Sequence, residues 1–234
     1  MPNKEGIRNL FDNIAPEYDR LNHVLSLDID KTWRRRAVRR IVSRYEPLNI
    51  LDIASGTGDF AIAIAKKAAK GSRVTGLDIS EGMLAIGREK VAKCGLSGII
   101  GLETGDSEKI PYAEGTFDRV SVAFGVRNFE HIGIGLSEMR RVLRKGGTVT
   151  ILELSEPQNR IIKWLYRLYF LNVLPMIGGK VSGNRGAYEY LPASVQNFPK
   201  PARFMEMMSE AGFSNIRHNS FTFGICRMYT AEKQ

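Results

Sequence analysis

The chain has 234 residues, 43% hydrophobic and 25% charged, which fits one soluble domain with a sizeable core and excludes a disordered or fibrous protein. A formal net charge of +9 leaves nucleic acid, a membrane surface or plain solubility open as its meaning. Cys94 and Cys226 stand far apart without a CxxC partner, which argues against a metal knuckle or a disulfide framework, and the N-terminus has no apolar signal region, so a cytoplasmic protein is expected.

Residues 1–45 read as a helical N-terminal cover. Within it, "KTWRRRAVRRIVSR" places Trp33, Ala37, Val38, Ile41 and Val42 on one helical face and leaves Arg34, Arg35, Arg36, Arg39, Arg40 and Arg44 mostly on the other. That basic face is open to two readings, a solvated surface or contact with an anionic lipid surface or ligand. The segment 46–154 then alternates β-rich runs at 50–54, 74–78, 99–103, 119–123 and 149–153 with helical stretches at 60–69, 82–93 and 136–144. Such alternation predicts a parallel, doubly wound α/β sheet. Residues 155–200 form an insertion whose apolar run, 168–177, is too short to span a bilayer. It reads either as a helix packed on the sheet edge or as a lid over an apolar ligand. A last helix at 202–211 precedes two β-rich segments around 222–224 in residues 201–234, so the sheet is expected to be Rossmann-like and seven-stranded, closing with an antiparallel last strand.

The first strand, turn and helix, "ILDIASGTGDFAIAIA", carry Asp52 and Asp59 on either side of Gly56, Thr57 and Gly58. In an open parallel sheet the ligand sits at the carboxyl ends of the strands, where this turn faces it. A dinucleotide would bring a pyrophosphate to the helix N-terminus, and both acids would repel it. S-adenosylmethionine reverses the argument, because its sulfonium and ammonium are cations and its one carboxylate can rest on backbone N–H groups. Asp78 ends the second strand, about 20 residues after Gly58, where an acid accepts ribose hydroxyls. Asp106, in "TGDSEKIPY", follows the third strand and suits the adenine amino group, with Ser107 beside it. Asp52, Gly56, Thr57, Gly58, Asp78, Asp106 and Ser107 are therefore the candidate cofactor residues. His23, His131 and His218 are too widely spaced to suggest a metal site.

"LDIASGTGD", "GDSEKIPYAEGTFDRVSVAFGVRN", "EMRRVLRKGGTVTILELSEP" and the N-terminal "YDRLNHVLSLDIDKTWR" resemble the quinol C-methyltransferases of menaquinone and ubiquinone biosynthesis, the UbiE/MenG type. With "YEYLPASVQNFP" and "FTFGICRMYTAEK" the resemblance covers nearly the whole chain. It departs at Asp28 and Asp30, where the family often has Gly and His, at Arg144-Lys145, often Lys-Pro, and at Ala123, often Ser. The resemblance implies a class I methyltransferase fold, S-adenosylmethionine as cofactor, and methyl transfer to a ring carbon of a polyprenylated quinol. The lack of an N-terminal extension favours a naphthoquinol over a benzoquinol.

Arg127 and Asn128, just past the fourth strand, are expected to face the ring pocket, Arg127 stabilising the quinolate and Asn128 bonding a ring oxygen. Tyr18 and Asp19 are weaker candidates for closing the cover over substrate or cofactor, and Tyr188 and Tyr190 read as ring-pocket lining or packing. A substrate with an isoprenoid tail gives the basic helix and the insertion a joint purpose, docking at the inner face of the membrane. An RNA methyltransferase is disfavoured by "AFGVRN" and by the want of an RNA-binding module. A non-catalytic scaffold and a dinucleotide oxidoreductase are the other rivals.

Overall fold

In the computed structural model, which describes residues 3–19, 28–168 and 185–234, the apolar runs form a single seven-stranded sheet. The strands are β1 (Asn49–Ile53), β2 (Arg73–Asp78), β3 (Ile100–Thr104), β4 (Phe117–Ala123), β5 (Leu143–Leu154), β6 (Ser214–Phe221) and β7 (Cys226–Glu232). Their order is β3-β2-β1-β4-β5-β7-β6, with β7 antiparallel to both neighbours and the rest parallel. Apolar side chains bury both faces of the central strands, as a parallel sheet covered on two sides requires. After β3 the chain crosses back to place β4 on the far side of β1, so the crevice between the carboxyl ends of β1 and β4 is the switch point.

The helices are α1 (Lys4–Ile14), α2 (Ile29–Ile41), α3 (Asp59–Ala65), α4 (Glu81–Lys93), α5 (Ile132–Val142), α6 (Arg160–Leu168), α7 (Arg185–Asn197) and α8 (Pro201–Glu210) among the described residues. Asn3 caps α1 by accepting from the Glu5 N–H, and Ser80 caps α4 by accepting from Met83 N–H. Asp12 ties the two helices together, accepting from Ser80 Oγ at 2.6 Å and from Gly82 N at 3.0 Å. Several boundaries differ from the sequence expectation, among them the start of β5, at Leu143 rather than residue 149, and of α5, at Ile132 rather than residue 136. The helix predicted at 60–69 stops at Ala65, and the one predicted through residue 144 ends at Val142 because Leu143 already pairs with Phe117 on β4. The long β5 bends at Gly146-Gly147, where a Cβ on Gly147 would meet Arg144 O at 2.8 Å. Residues 169–177 of the predicted apolar run and the side chain of Tyr188 lie outside the described residues.

α2 lays Trp33, Ala37, Val38 and Ile41 against the sheet as expected, with Arg35, Arg36, Arg39 and Arg40 exposed. Arg34 does not join them. It turns inward, pairing with Asp59 at 2.9 Å and stacking over the Phe124 ring at 5.7 Å.

Candidate active site

A cleft of about 710 Å³, counted to its open mouth, lies over the switch point between the strand ends and α1. Ala54 and Phe124, directly after β1 and β4, both have positive φ (52° and 62°), an uncommon conformation for side chains of this kind that turns the chain sharply at the cleft floor. Gly56, φ 54°, lets the next turn approach the cleft, and its N–H donates to Asp78 Oδ2 at 2.8 Å. Asp78 Oδ1 accepts from Ser80 N at 2.9 Å. Burial raises the Asp78 pKa, with these backbone bonds working against it. The carboxylate keeps further lone pairs for hydroxyls of a ligand.

Gly56, Asp78, Asp106, Ser107, Asn128 and Tyr18 from the sequence reading all line the cleft. Asp106 is held by Lys4 Nζ at 2.8 Å and by Glu108 N at 2.8 Å, so the first turn of α1 reaches the acid proposed for the adenine end. Asn128 Oδ1 accepts from Tyr190 Oη at 2.8 Å, and burial raises the Tyr190 phenol pKa, which keeps it a donor.

Asp52 lies beneath this floor. The β1–β4 register sets it opposite Ser121, whose Oγ donates to Asp52 Oδ1 at 2.7 Å. Its Oδ2 is buried without a hydrogen-bond partner. Burial pushes the carboxyl up to about 7, and only Ser121 and Arg34 pull it back. A buried acid with one unsatisfied oxygen beside a ligand cleft fits a cationic ligand, whose charge would hold it ionised.

Three expectations need correction. Asp59 does not line the cleft. Lys90 and Arg34 both pair with it, and although burial raises its pKa these cations bring it below the usual range, so its charge is balanced and it gives no argument against a phosphate. The electrostatic case rests on Asp52 and Asp78. Thr57 and Asp19 also lie off the cleft wall: Thr57 Oγ1 donates to Asp19 Oδ1 at 2.5 Å, and Lys90 pairs with Asp19 at 2.5 Å. Thr57, Asp19, Asp59 and Lys90 thus form one polar cluster behind the turn that fastens the cover to α3 and α4, and Gly58, the residue before α3, also lies off the cleft wall.

The third correction concerns Arg127. Its side chain is only 6% exposed and does not line the cleft. It pairs with Glu153 at 2.7 Å, donates to the Phe124 carbonyl, and reaches Ser194 Oγ at 3.3 Å. Glu153, wholly buried on β5, also accepts from Arg127 N at 3.1 Å. The pair clamps the loop carrying Phe124 and Asn128. Glu153 was legible as an acid inside the apolar run "TILEL", whereas Lys4 and Lys90 carry no sequence signal. His131, exposed and paired with Glu108 at 3.0 Å, also lies off the cleft wall.

The profile of the ubiE/COQ5 methyltransferase family matches residues 2–233. The chain belongs to this family. Among ubiE/COQ5-type relatives, the "Ubiquinone/menaquinone biosynthesis C-methyltransferase UbiE" of Geobacter sulfurreducens is 47% identical over 98% of this chain and 89% of its own. The "Demethylmenaquinone methyltransferase" of Bacteroides fragilis is 45% identical over 98% and 93%. In fold, the [4+2]-cyclase SpnF superposes with a TM-score of 0.74 at 16% identity over 99% of this chain and 97% of that one. The S-adenosylmethionine complex of Haemonchus contortus phosphoethanolamine N-methyltransferase 2 gives 0.65 at 15% identity over 86% and 52%. At such identities these two establish the ubiE/COQ5 chain's fold and nothing about its chemistry.

Proposed function

We propose that the chain is a single methyltransferase domain that uses S-adenosylmethionine to C-methylate a polyprenylated quinol, converting demethylmenaquinol to menaquinol. The observation that carries this is the end-to-end match at 45–47% identity to relatives bearing those names, and the cleft's acids suit the cofactor. S-adenosylmethionine, when bound, supplies a sulfonium-activated methyl group. Asp78 is assigned the ribose hydroxyls, Asp106 and Ser107 the adenine end, and the cleft-lining backbone at Gly56 the close approach of the amino-acid end. Asp52 supplies the negative field for the cationic groups.

Asn128 and Tyr190 form the polar end of the acceptor site. Asn128 has two amide N–H donors besides the Oδ1 engaged by Tyr190. A donor on a ring oxygen favours the quinolate over the neutral quinol and so raises electron density at the ring carbon. Ile7 and Phe11 of the cover, with Phe124 and Phe129, give the cleft an apolar lining. A dry site suits a reaction in which opposite charges neutralise each other. Arg127 acts by positioning: its charge is matched by Glu153, so its influence on the quinolate is smaller than that of a lone guanidinium.

The test is methyl transfer from labelled S-adenosylmethionine to reduced, detergent-dispersed demethylmenaquinol, beside a demethylated benzoquinol and bulk tRNA. Label in the naphthoquinol alone is expected. Label in both quinols would support the dual role carried in the name of the Geobacter relative, and label in tRNA alone would overturn the acceptor. Such a lipid-borne acceptor also requires the protein to work at a membrane surface, although among the described residues no helix is long and apolar enough to cross one.

A further inference from the structure

α6 is amphipathic in an unusual direction. Tyr166 is buried, while Ile161, Trp164 and Leu168, on one face at i, i+3 and i+7, are 72%, 63% and 47% exposed. Arg160, Lys163 and Arg167 flank this stripe, and among the described residues Glu156 pairs with Lys163 at 2.6 Å and Arg167 at 3.0 Å. A second apolar projection stands beside it. The turn between β6 and β7 holds Thr222 and Phe223 in consecutive left-handed conformations (φ 45° and 56°), and Phe223 is 75% exposed. Two such residues in a row are a costly conformation for side chains of this kind, and Phe223 is not buried to offset it.

The two projections belong to one face. Ser155 Oγ donates to Gly224 O at 2.6 Å, joining the turn to the strand end that leads into α6. Trp33 Nε1 donates to Thr222 Oγ1 at 2.9 Å, and Arg36 stacks over Phe221 at 5.2 Å, joining it to the arginine-rich face of α2. Trp33 in turn packs on Phe124, which lines the cleft.

We infer that this face, α6 with the 222–224 turn and the arginines of α2, is a docking surface for an anionic phospholipid bilayer, with Ile161, Trp164 and Phe223 entering the interface and the flanking cations meeting lipid phosphates. An apolar stripe with basic flanks, tryptophan at its centre, is the pattern of a helix lying in a membrane interface. The excess of basic over acidic side chains on this face selects an anionic surface. The inference deepens the acceptor assignment by supplying the route for a lipid-borne quinol, but its evidence does not depend on that assignment.

The chain contains two tryptophans, and Trp33 is buried against Thr222, so a shift seen in the wild type and lost in I161S/W164S, which keeps only Trp33, is assigned to Trp164, while co-sedimentation compares the affinities. The experiment is vesicle co-sedimentation and tryptophan emission with phosphatidylcholine alone and with phosphatidylcholine containing phosphatidylglycerol. Full-length protein is compared with the I161S/W164S and F223S variants, and methyl transfer is measured in parallel on a short-tailed, detergent-free quinol. The expected result is binding and a blue shift with anionic vesicles only, weakened about tenfold or more in I161S/W164S and measurably in F223S, with unchanged turnover of the short-tailed acceptor. Absence of binding to anionic vesicles, or equal binding by all three proteins, overturns the inference while leaving methyl transfer to be judged separately. So does self-association through this face, seen as a dimer lost in I161S/W164S and indifferent to lipid. Intact docking without turnover of any quinol would sustain the inference and refute the proposed reaction.

Discussion

Replacing Asp52 with asparagine should make the ligand-free protein more stable at pH 8 and a poorer cofactor binder. The carboxyl titrates near 7 in the folded chain, against about 3.8 when exposed. That gap of about 3 units corresponds to about 4 kcal/mol, at about 1.4 kcal/mol per unit. Because the folded pKa is raised, this stability is present below about pH 4 and is lost as pH rises through about 7. The replacement amide would not titrate, and its carbonyl oxygen could still accept from Ser121. Its N–H₂ would occupy the place of the partnerless Oδ2, at a cost of about 1–3 kcal/mol, leaving a net gain of about 1–3 kcal/mol at pH 8. Urea denaturation at pH 5 and 8 measures the first effect. Calorimetric titration with S-adenosylmethionine measures the second: wild-type affinity should fall as pH drops below about 7, approaching tenfold per unit, while the variant binds weakly and with little pH dependence. A variant less stable than wild type at pH 8, or wild-type affinity flat from pH 5.5 to 8, would refute the assignment of Asp52 as a buried anion awaiting a cation.

Arg127→Ala should cost about 3–5 kcal/mol in urea denaturation by stranding the buried Glu153, and the double change to Leu at 127 and 153 should recover most of it. If Arg127 instead bound substrate, the single variant would keep its stability and lose only turnover. Lys90→Met removes the cation that joins Asp19 to Asp59; it should loosen the N-terminal cover, raising both the cofactor Kd and the rate of proteolytic cleavage before residue 28. Asn128→Ala should lower kcat by about 10–1,000-fold in the methyl-transfer assay, with cofactor Kd within twofold of wild type.

Much of the architecture could be read from side-chain pattern because parallel strands buried on both faces are mostly apolar, as Ile50, Leu51 and Ile53 of β1 and Val120 and Val122 of β4 are. The acids at or just past the ends of β1, β2 and β3 could be placed because strand ends in such a sheet share one edge. What escaped was pairing across distance. Arg127 looked like a substrate ligand because its partner is not the neighbouring Glu130 but Glu153, 26 residues on, brought close by the β4–β5 pairing. Asp59 looked like a free anion for the same reason, with Lys90 and Arg34 arriving from two other helices. The backbone turns at Ala54 and Phe124 were also invisible, since neither residue type announces a positive φ.

The clamp between Arg127 and Glu153 also bears on how this sequence can drift. Both side chains are almost or wholly shut off from water, so a lineage that loses one member first passes through a protein holding a stranded charge in its core. The two codons therefore form a linked character, to be kept together or exchanged together for an apolar couple. Among descendants of this gene, a lone change at either site should be rarer than the double change.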